Sequence, residues 1–420
     1  MAPDLTISGK AFVNGGLKQV EIGIKNGKIS YIGPSAGKSK ERIDVGEDSI
    51  ILPGGIDPHV HFRDPGLTHK EDFTSGSESA IHGGITCVLD MPNTIPPAVD
   101  RSSVIAKKAS LKGRSYCDFG LMAAITENGK PSEVADLVAG YKLYMGSTTG
   151  SILVNDDAII EEKISEVMKT GKVLSVHAED DNMISKEHEN NCADHRNNRP
   201  TSAELNAIRR LEGFKGNKIN ICHTSTSEGL NLAESLGFTT EVTLHHLLLP
   251  SEESSDTKMK VNPPLRDASE REALFKTFEK GKGIMFGSDH APHTTDEKNR
   301  EFNDAPCGIP GVETTLPILM GMVGDGRFPL ARAVDMCSAA PARIFGMNKG
   351  SIEIGKDGDF AVFDINKKTK IEGRKLHSKA EQTPFEGFDA VFPETVILRG
   401  NVQLRDGKFC GKLMGADIIG

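Results

Sequence analysis

Histidine and aspartate residues recur in this chain at the points where short apolar segments end. His59 and His61 close the segment that begins near Ile51, and side chains at positions i and i+2 of a strand share one face. Two imidazoles so placed can bind one metal ion, although a bare His-x-His is also found as ordinary polar or core residues. Later apolar segments end in three further candidates: His177, His223 and Asp289. Five such residues at one rim predict a shared metal site.

A lysine, Lys142, lies inside the apolar segment 140–146. A buried ammonium group is costly, so this side chain either extends to the rim or is not cationic. Two divalent ions ~3.5–4 Å apart need a bridging anion, and a carbamate formed by the lysine with CO2 would supply one. Together with Asp289 and a bridging hydroxide, it would leave one positive charge to attract an anionic substrate. A Schiff base at Lys142 is the competing chemical use.

Arg63 follows His61 by two residues, on the same face if the strand continues. Its planar guanidinium fork suits a carboxylate, which points to an acidic substrate. The alternative is a salt bridge at the rim with Asp64 or Asp72, which would give the arginine no role in binding.

These residues need a scaffold that gathers the ends of several strands. Helix-like stretches at 100–110, 156–170, 202–212 and 269–280 alternate with short β-rich segments. Eight strands are predicted, at Ile51–Val60, Ile85–Met91, Phe119–Ile125, Tyr141–Met145, Val173–His177, Lys218–Cys222, Glu241–His245 and Ile284–Gly287. This α/β alternation predicts a (β/α)8 TIM barrel, in which active sites lie at the C-terminal ends of the strands. A doubly wound sheet is the alternative, but no Gly-rich phosphate turn follows the first strand.

The two ends of the chain have a different pattern. The first fifty residues and the region from about Gly350 alternate apolar and polar residues between Gly-containing turns, which is typical of short antiparallel strands. We therefore expect residues 1–52 and 350–420 to pair into one small β-sandwich domain, and residues 53–349 to form the barrel.

Composition narrows the class of protein. With 420 residues, 37% hydrophobic and 26% charged, the chain is expected to fold into a large globular core. A net charge of −9 argues against nucleic acid as a partner. The start has no signal-peptide pattern and no run of ~20 apolar residues follows, so we expect no membrane association and a cytoplasmic location. The 7 scattered cysteines fit no disulfide framework and are expected to be buried thiols.

These motifs resemble the amidohydrolase superfamily and, within it, the dihydroorotases that carry a binuclear metal centre. The resemblance covers essentially the whole chain, through PGGIDPHVHFRDPG, MPNT, KLYMG, SVHAED, ICHTST, EVTLHHLLL, VNPPLR, GSDHAPH and PFEGF. It implies two zinc ions, the first held by His59, His61, Lys142 and Asp289, the second by Lys142, His177 and His223. A carboxylated Lys142 would bridge them, and Asp289 would also be the catalytic acid and base.

The same resemblance implies which residues hold the substrate. Arg63, Asn93 and His293 match positions at which dihydroorotases bind the substrate α-carboxylate, and Asn262 matches one facing the ring. An ordinary turn residue is the alternative interpretation of Asn93. The implied reaction is the reversible cyclisation of N-carbamoyl-L-aspartate to L-4,5-dihydroorotate in pyrimidine biosynthesis, with a bridging hydroxide at the binuclear zinc centre.

Two alternatives remain open. Hydantoinase- and allantoinase-like cyclic amidases share the chemistry, but hydantoinases usually lack the arginine after His-x-His and allantoinases typically differ where this chain has His293. A metal-free homologue that serves only as a scaffold for aspartate transcarbamoylase would be expected to lose ligands, and none is missing here. A homo-oligomer and aspartate transcarbamoylase are therefore the candidate protein partners, beside the small-molecule substrate.

Three other segments carry simpler expectations. His245 and His246 are predicted on the seventh strand, with at most one of them facing the barrel interior. The polar stretch 186–200 is predicted to be a solvated loop. Residues 146–150 have the small, polar composition of a mobile loop, which either covers the site or merely connects two elements.

Overall fold

The computed structural model describes residues 2–147 and 152–419, and its first strands belong to a sheet built from both ends of the chain. They are β1 (Leu5–Val13), β2 (Gly16–Lys25), β3 (Lys28–Gly33), β4 (Glu41–Asp44) and β5 (Ser49–Pro53). Two-residue Asn-Gly turns, at 14–15 and 26–27, join the first three strands, and all four of these residues have positive φ. Such turns match the twist of antiparallel strands, so the local sequence fixes both hairpins.

Eight parallel strands form the barrel that the sequence predicts. They are β6 (Gly55–Val60), β7 (Ile85–Asp90), β8 (Asp118–Ala124), β9 (Gly140–Tyr144), β10 (Val173–His177), β11 (Ile219–Ile221), β12 (Thr239–Val242) and β13 (Met285–Phe286). They pair in chain order, and a bridge from the His61 amide to the His290 carbonyl, 2.8 Å long, links the last strand to the first. Nearly every strand residue is buried, as expected where helices cover the outer face and side chains fill the inner one.

The predicted strand at 51–60 is two strands of different sheets, which corrects that prediction. β5 ends at Pro53 and β6 begins at Gly55, so the change of sheet occurs at Gly54. A Cβ atom on Gly54 would lie 2.3 Å from the Thr86 hydroxyl oxygen, so only glycine leaves room for the Thr86 side chain.

Helices follow the barrel strands and confirm the predicted alternation. They are α1 (Phe73–His82), α2 (Arg101–Leu111), α3 (Asp157–Thr170), α4 (Cys192–Asn198), α5 (Thr201–Arg209), α6 (Ser227–Ser235), α7 (Leu244–Leu248), α8 (Ala268–Glu279), α9 (Thr295–Lys298), α10 (Thr315–Gly324), α11 (Leu330–Val334) and α12 (Ala340–Phe345). Aspartates at 72, 100, 156 and 267 accept hydrogen bonds from backbone amides in the first turns of α1, α2, α3 and α8. These caps explain why each helix begins where it does.

The C-terminal strands complete the first sheet, which confirms the separate β domain. The remaining strands are β14 (Phe360–Asp364), β15 (Thr369–Lys370), β16 (Asp389–Ala390), β17 (Thr395–Leu398), β18 (Asn401–Arg405) and β19 (Lys408–Phe409). Nine strands form one sheet in the order β19-β18-β17-β14-β5-β1-β2-β3, with β4 beside β1. The strand next to the first barrel strand, β5, thus pairs with a strand from the far end of the chain.

A buried ion cluster joins this sheet to the end of the barrel opposite the strand C-termini. The Lys349 amine lies 2.6 Å from an oxygen of Asp118, at the start of β8, and 2.7 Å from oxygens of Asp357 and Asp359, which precede β14. Lys349 is 4% exposed. Lys349 therefore compensates the charge of three buried carboxylates, and Lys28 and Arg399 add positive charge at the edge of this cluster.

Two local predictions are wrong, and a third falls outside the described residues. His245 and His246 lie on α7, because β12 ends at Val242 and the Thr243 side chain caps a new helix. The stretch 186–200, predicted to be a loop, contains α4. Residues 148–151, in the predicted mobile loop, are not described.

The cysteines and the helices also bear on earlier expectations. Five cysteines are buried as predicted, but Cys307 is partly exposed and Cys410 is exposed. None of the helices within 2–147 and 152–419 combines the length and apolar character needed to cross a membrane.

Candidate metal centre and active site

A cavity of about 30 Å³ lies at the C-terminal ends of the barrel strands. All six predicted metal ligands line it: His59, His61, Lys142, His177, His223 and Asp289. Three of the four predicted substrate-binding residues line it too: Arg63, Asn93 and Asn262. The barrel therefore brings together side chains that are up to 230 residues apart in the sequence, because parallel strands present all their carboxyl ends at one rim.

His59, His61 and Asp289 form the first of two donor groups. The Nε2 atoms of His59 and His61 lie 3.4 Å and 3.1 Å from the same Asp289 oxygen. The other ring nitrogen of each histidine is hydrogen-bonded to a second residue. Nδ1 of His59 lies 2.7 Å from a carboxylate oxygen of Glu241, and Nδ1 of His61 lies 2.6 Å from the side-chain oxygen of Asn93. Since both of those partners accept hydrogen bonds, each Nδ1 carries a proton, and each Nε2 faces the aspartate.

His177 and His223 form the second donor group. Nδ1 of His177 lies 3.0 Å from Nε2 of His223. The other nitrogen of His177 donates to Glu179 over 2.8 Å, and Arg199 binds the same carboxylate oxygen at 2.6 Å. Nδ1 of His223 is buried without a hydrogen-bond partner among the described residues. The two nitrogens that face each other share one hydrogen bond, and a metal ion bound to both would replace its proton.

Lys142 lies between the two donor groups. Its amine is 3.4 Å from Nε2 of His59 and 3.0 Å from the Cys222 sulfur. The residue is 0% exposed, so the side chain does not extend to solvent at the rim. Within the described part of the chain it has no salt-bridge partner, and an ammonium group buried without a counter-charge is strongly unfavourable.

Burial keeps most of these imidazoles uncharged. It lowers the pKa of His61 to about 3, and it also lowers the pKa values of His177 and His223. His59 differs: burial acts to lower its pKa, but the carboxylates of Glu241 and Asp289 raise it to about 10. Burial likewise opposes ionisation of Asp289, yet His59 and His61 hold its pKa well below the usual range. Three neutral imidazoles and an ionised carboxylate are donors that zinc prefers, and a bound ion would displace the Nε2 proton of His59, so the residues fit a metal centre.

The backbone is strained at three of these positions. Arg63, His223 and Asp289 have φ values of 60°, 34° and 47°, and each follows the end of a barrel strand. A non-glycine residue in this left-handed region costs ~1–3 kcal/mol and persists only where its surroundings fix it. The strain directs these side chains into the cavity.

Arg63 forms neither of the salt bridges that were the alternative to substrate binding. Asp64 pairs with Arg114 at 2.7 Å, and Asp72 pairs with Lys379 at 2.6 Å. Arg63 itself is 2% exposed and makes no salt bridge with any described residue. A buried guanidinium group that lines a cavity without a salt-bridge partner among the described residues is a site for an anion.

His293 lies behind Arg63 and is not among the residues that line the cavity. Burial, together with the nearby Arg63 and Lys70, keeps the pKa of His293 well below its usual range. The Lys70 amine donates to Nδ1 over 3.2 Å, so the proton of the neutral ring is on Nε2, which donates to the Cys307 carbonyl over 3.0 Å. The Arg63 nitrogen 3.3 Å away therefore cannot donate to His293. The hydrogens of that Arg63 nitrogen are left for a ligand in the cavity.

Comparison with known proteins identifies the family. The model of the amidohydrolase family matches residues 50–402. The chain belongs to this family. Among curated relatives of this amidohydrolase, the dihydroorotase of Methanosarcina mazei is 36% identical over 95% of this chain and 94% of its own length. The dihydroorotase of Pyrococcus abyssi is 38% identical over 99% and 98%.

Solved structures show the same fold. An L-hydantoinase (dihydropyrimidinase) from Arthrobacter aurescens matches with a TM-score of 0.92 and 27% identity, over 98% of each chain. A D-hydantoinase (dihydropyrimidinase) from Thermus sp. matches with a TM-score of 0.89 and 25% identity, over 99% of this chain and 98% of its own. Amidohydrolases are typically metal-dependent, and His59, His61 and Asp289 form a group of donors that could hold an ion.

Sequence reasoning missed the carboxylates that hold the histidines of this amidohydrolase. Glu241 accepts from Nδ1 of His59 at 2.7 Å and from the backbone amide of His223 at 3.2 Å, so it supports one residue from each donor group. The sequence signal for Glu241 was a lone charged residue in an otherwise uncharged strand. Glu179 lies beyond β10, and its signal was the two-residue spacing from His177. Such partners fix the tautomer and orientation of a ligating imidazole.

Proposed function

We propose that this amidohydrolase is a dihydroorotase, which interconverts N-carbamoyl-L-aspartate and L-4,5-dihydroorotate in pyrimidine biosynthesis. The observation that carries the proposal is the buried Arg63, which lines the cavity and makes no salt bridge with any described residue. Dihydroorotate carries a carboxylate that would pair with this guanidinium group, whereas a hydantoin ring does not. The relatives named dihydroorotase, similar over almost the whole chain, support the same substrate.

The residues present would hold two zinc ions. His59, His61, Lys142 and Asp289 would bind one, and Lys142, His177 and His223 the other. Carboxylation of Lys142 would relieve its unpaired burial and supply an oxygen to each ion. When bound, the ions would polarise the substrate carbonyl and increase the acidity of water.

Asp289 is the group that moves protons. Its carboxylate is ionised and close to two histidines, and it lines the cavity in which the substrate is proposed to bind. In ring opening it accepts a proton from the attacking water and passes that proton to the departing ring nitrogen; ring closure reverses both transfers. Such assistance typically contributes ~10²–10⁴ in rate.

The substrate is oriented by groups on the opposite wall. Arg63 would bind the carboxylate through its fork, with its Nε fixed 3.3 Å from the Pro292 carbonyl and His293 packed behind it. Asn262 would face the ring. The side-chain oxygen of Asn93 is hydrogen-bonded to His61, so Asn93 would orient that histidine as well as contact the substrate.

A parallel assay of the purified protein tests this proposal. Turnover of dihydroorotate, hydantoin and allantoin is measured on one sample, together with its zinc content. We expect dihydroorotate to be strongly preferred and about two zinc ions per chain. Preference for hydantoin would favour the cyclic amidase alternative. A hydantoinase is among the proteins with a similar structure. Absence of both metal and turnover would favour the scaffold alternative.

Other expectations remain predictions. They are the cytoplasmic location, a homo-oligomer, association with aspartate transcarbamoylase, and the division into residues 1–52 with 350–420 and residues 53–349.

A further inference from the structure

A thiol, an imidazole and a carboxylate lie in series in the wall of the same cavity. The sulfur of Cys307, which lines the cavity, is 3.9 Å from Nε2 of His195. Nδ1 of His195 is 2.8 Å from a carboxylate oxygen of Glu189. None of the three is a metal ligand or takes part in the proton transfers proposed above. Cys307 is partly exposed and lines the cavity.

The sequence around His195 explains why this ring is fixed and charged. The Asn191 side chain caps α4, and the helix presents His195 inward, where it is 4% exposed. Both ring nitrogens meet acceptors, because Nε2 lies 2.9 Å from the side-chain oxygen of Asn262. Burial acts to lower the pKa of His195, but Cys307 and Glu189 raise it to about 9. At neutral pH the ring is therefore an imidazolium beside the sulfur.

The other charged groups around Cys307 are mostly cations. Lys260, Lys298 and Arg199 add positive charge, and the facing carboxylate, Glu189, is shared between His195 and Lys260 at 3.0 Å. The Lys298 amine binds the carbonyl of Pro306, directly before the cysteine, at 2.9 Å. Burial alone would raise the pKa of Cys307, but His195, Lys260 and Arg199 lower it.

Most other cysteines of the chain lack these features. Burial raises the pKa of Cys117 well above its usual range and that of Cys192 to about 11. Cys410 is exposed but lies beyond β19, away from the cavity. The thiolate is the reactive form of cysteine, and it is favoured next to cations. Cys307 thus combines access with a positive environment.

We propose that Cys307 is a modification site for small uncharged disulfides and thiosulfonates, and that its modification closes the substrate cavity. The Cys307 thiolate attacks one sulfur of the reagent, the bond between the reagent's two sulfurs breaks, and the second sulfur leaves as a thiolate or sulfinate anion. The product is a mixed disulfide that an added thiol reverses. The attached group would lie beside Asn262, where the substrate ring is proposed to bind. The modification goes beyond the proposed function, because the labelling reaction requires no turnover.

Labelling with methyl methanethiosulfonate tests the site directly. The metal-loaded protein is treated at pH 6.5 and at pH 8.5, and the rate at each cysteine is measured by peptide mass spectrometry. A free thiol with a pKa of ~8.5 increases its thiolate fraction ~50-fold over this interval, and N-acetylcysteine measured alongside provides that reference. We expect Cys307 to be labelled first and its rate to rise less than tenfold. A rise that follows N-acetylcysteine, or no labelling at Cys307, would overturn the proposal.

Two variants separate the environment from simple access. His195→Asn removes the positive charge and should slow labelling of Cys307 at pH 6.5 at least fivefold, whereas Cys410→Ser should leave it unchanged. If His195→Asn does not fold, the dependence of Cys307 labelling on pH in the unaltered protein still tests the proposal. An unchanged rate in a folded His195→Asn protein would refute the role of the imidazolium.

Activity provides the second readout. Labelled protein should lose at least nine-tenths of its dihydroorotate turnover and regain it with dithiothreitol. Full turnover with Cys307 labelled would refute closure of the cavity. If the unlabelled protein has no dihydroorotate turnover, the proposed function fails while the labelling result stands on its own.

Discussion

Replacing Arg63 with lysine separates charge from geometry at the anion site. Lysine keeps the positive charge but offers one point of contact where the guanidinium group offers two parallel hydrogen bonds. It also loses the contact from Nε to the Pro292 carbonyl, which is 3.3 Å long and fixes the side chain. A hydrogen bond to a charged group contributes ~1.5–3 kcal/mol. Loss of one such bond should therefore lower kcat/KM for dihydroorotate by roughly ten- to a hundredfold.

The comparison substrate is dihydrouracil, the same ring without the carboxylate. Because it has nothing for the fork to bind, kcat/KM for dihydrouracil should change less than about threefold in Arg63→Lys. Both values are taken from initial rates of ring opening at fixed pH, with zinc content checked for each preparation.

Arg114→Lys is the matched control. Arg114 pairs with Asp64, the neighbour of Arg63, and it is part-exposed outside the cavity. The same substitution there should leave both rates unchanged. An equal fall for both substrates in Arg63→Lys would show that Arg63 holds the fold or the metal centre. The carboxylate assignment would then be wrong.

Four further outcomes are expected. Lys142→Ala should lose metal and activity, with partial rescue by short carboxylic acids; full activity would exclude the carbamate. Asp289→Asn should lower kcat by ~10²–10⁴, and survival within tenfold would assign proton transfer to another group. Glu241→Gln should weaken zinc binding ~10–100-fold in competition with a chelator, and unchanged affinity would deny its support of His59. Lys349→Met, which leaves three buried carboxylates unpaired, should lower the free energy of unfolding by ~3–5 kcal/mol in denaturant titrations, whereas Lys28→Met at the exposed edge of that cluster should cost far less.

The candidate site was largely predictable because it depends on local rules and on one property of barrels. The i, i+2 spacing puts His59 and His61 on one face, and the strand-end positions of His177, His223 and Asp289 place all five at one rim. No contact had to be known in advance. The structure brings these residues together as expected.

What could not be predicted depends on partners distant in the sequence or on single capping bonds. A continuous apolar run does not reveal that its two halves join different sheets, so the break at Gly54 was missed. The hydroxyl of Thr243 ends β12 and starts α7, which a strand pattern conceals. The role of Glu241 depends on His59, 182 residues away. Such contacts exist only once the chain has folded.

The pairing of β5 with β14 has a consequence for how the protein is made. Some 300 residues separate the two strands, so at ~5–20 residues per second a ribosome needs roughly 15–60 s to supply β14 after β5 has been made. During that interval the edge of β5 that β14 will cover has unpaired backbone groups, which other chains can pair with. The strand that carries His59, β6, follows β5 directly. Until β14 is made, the first barrel strand therefore stands next to a strand whose other edge is uncovered.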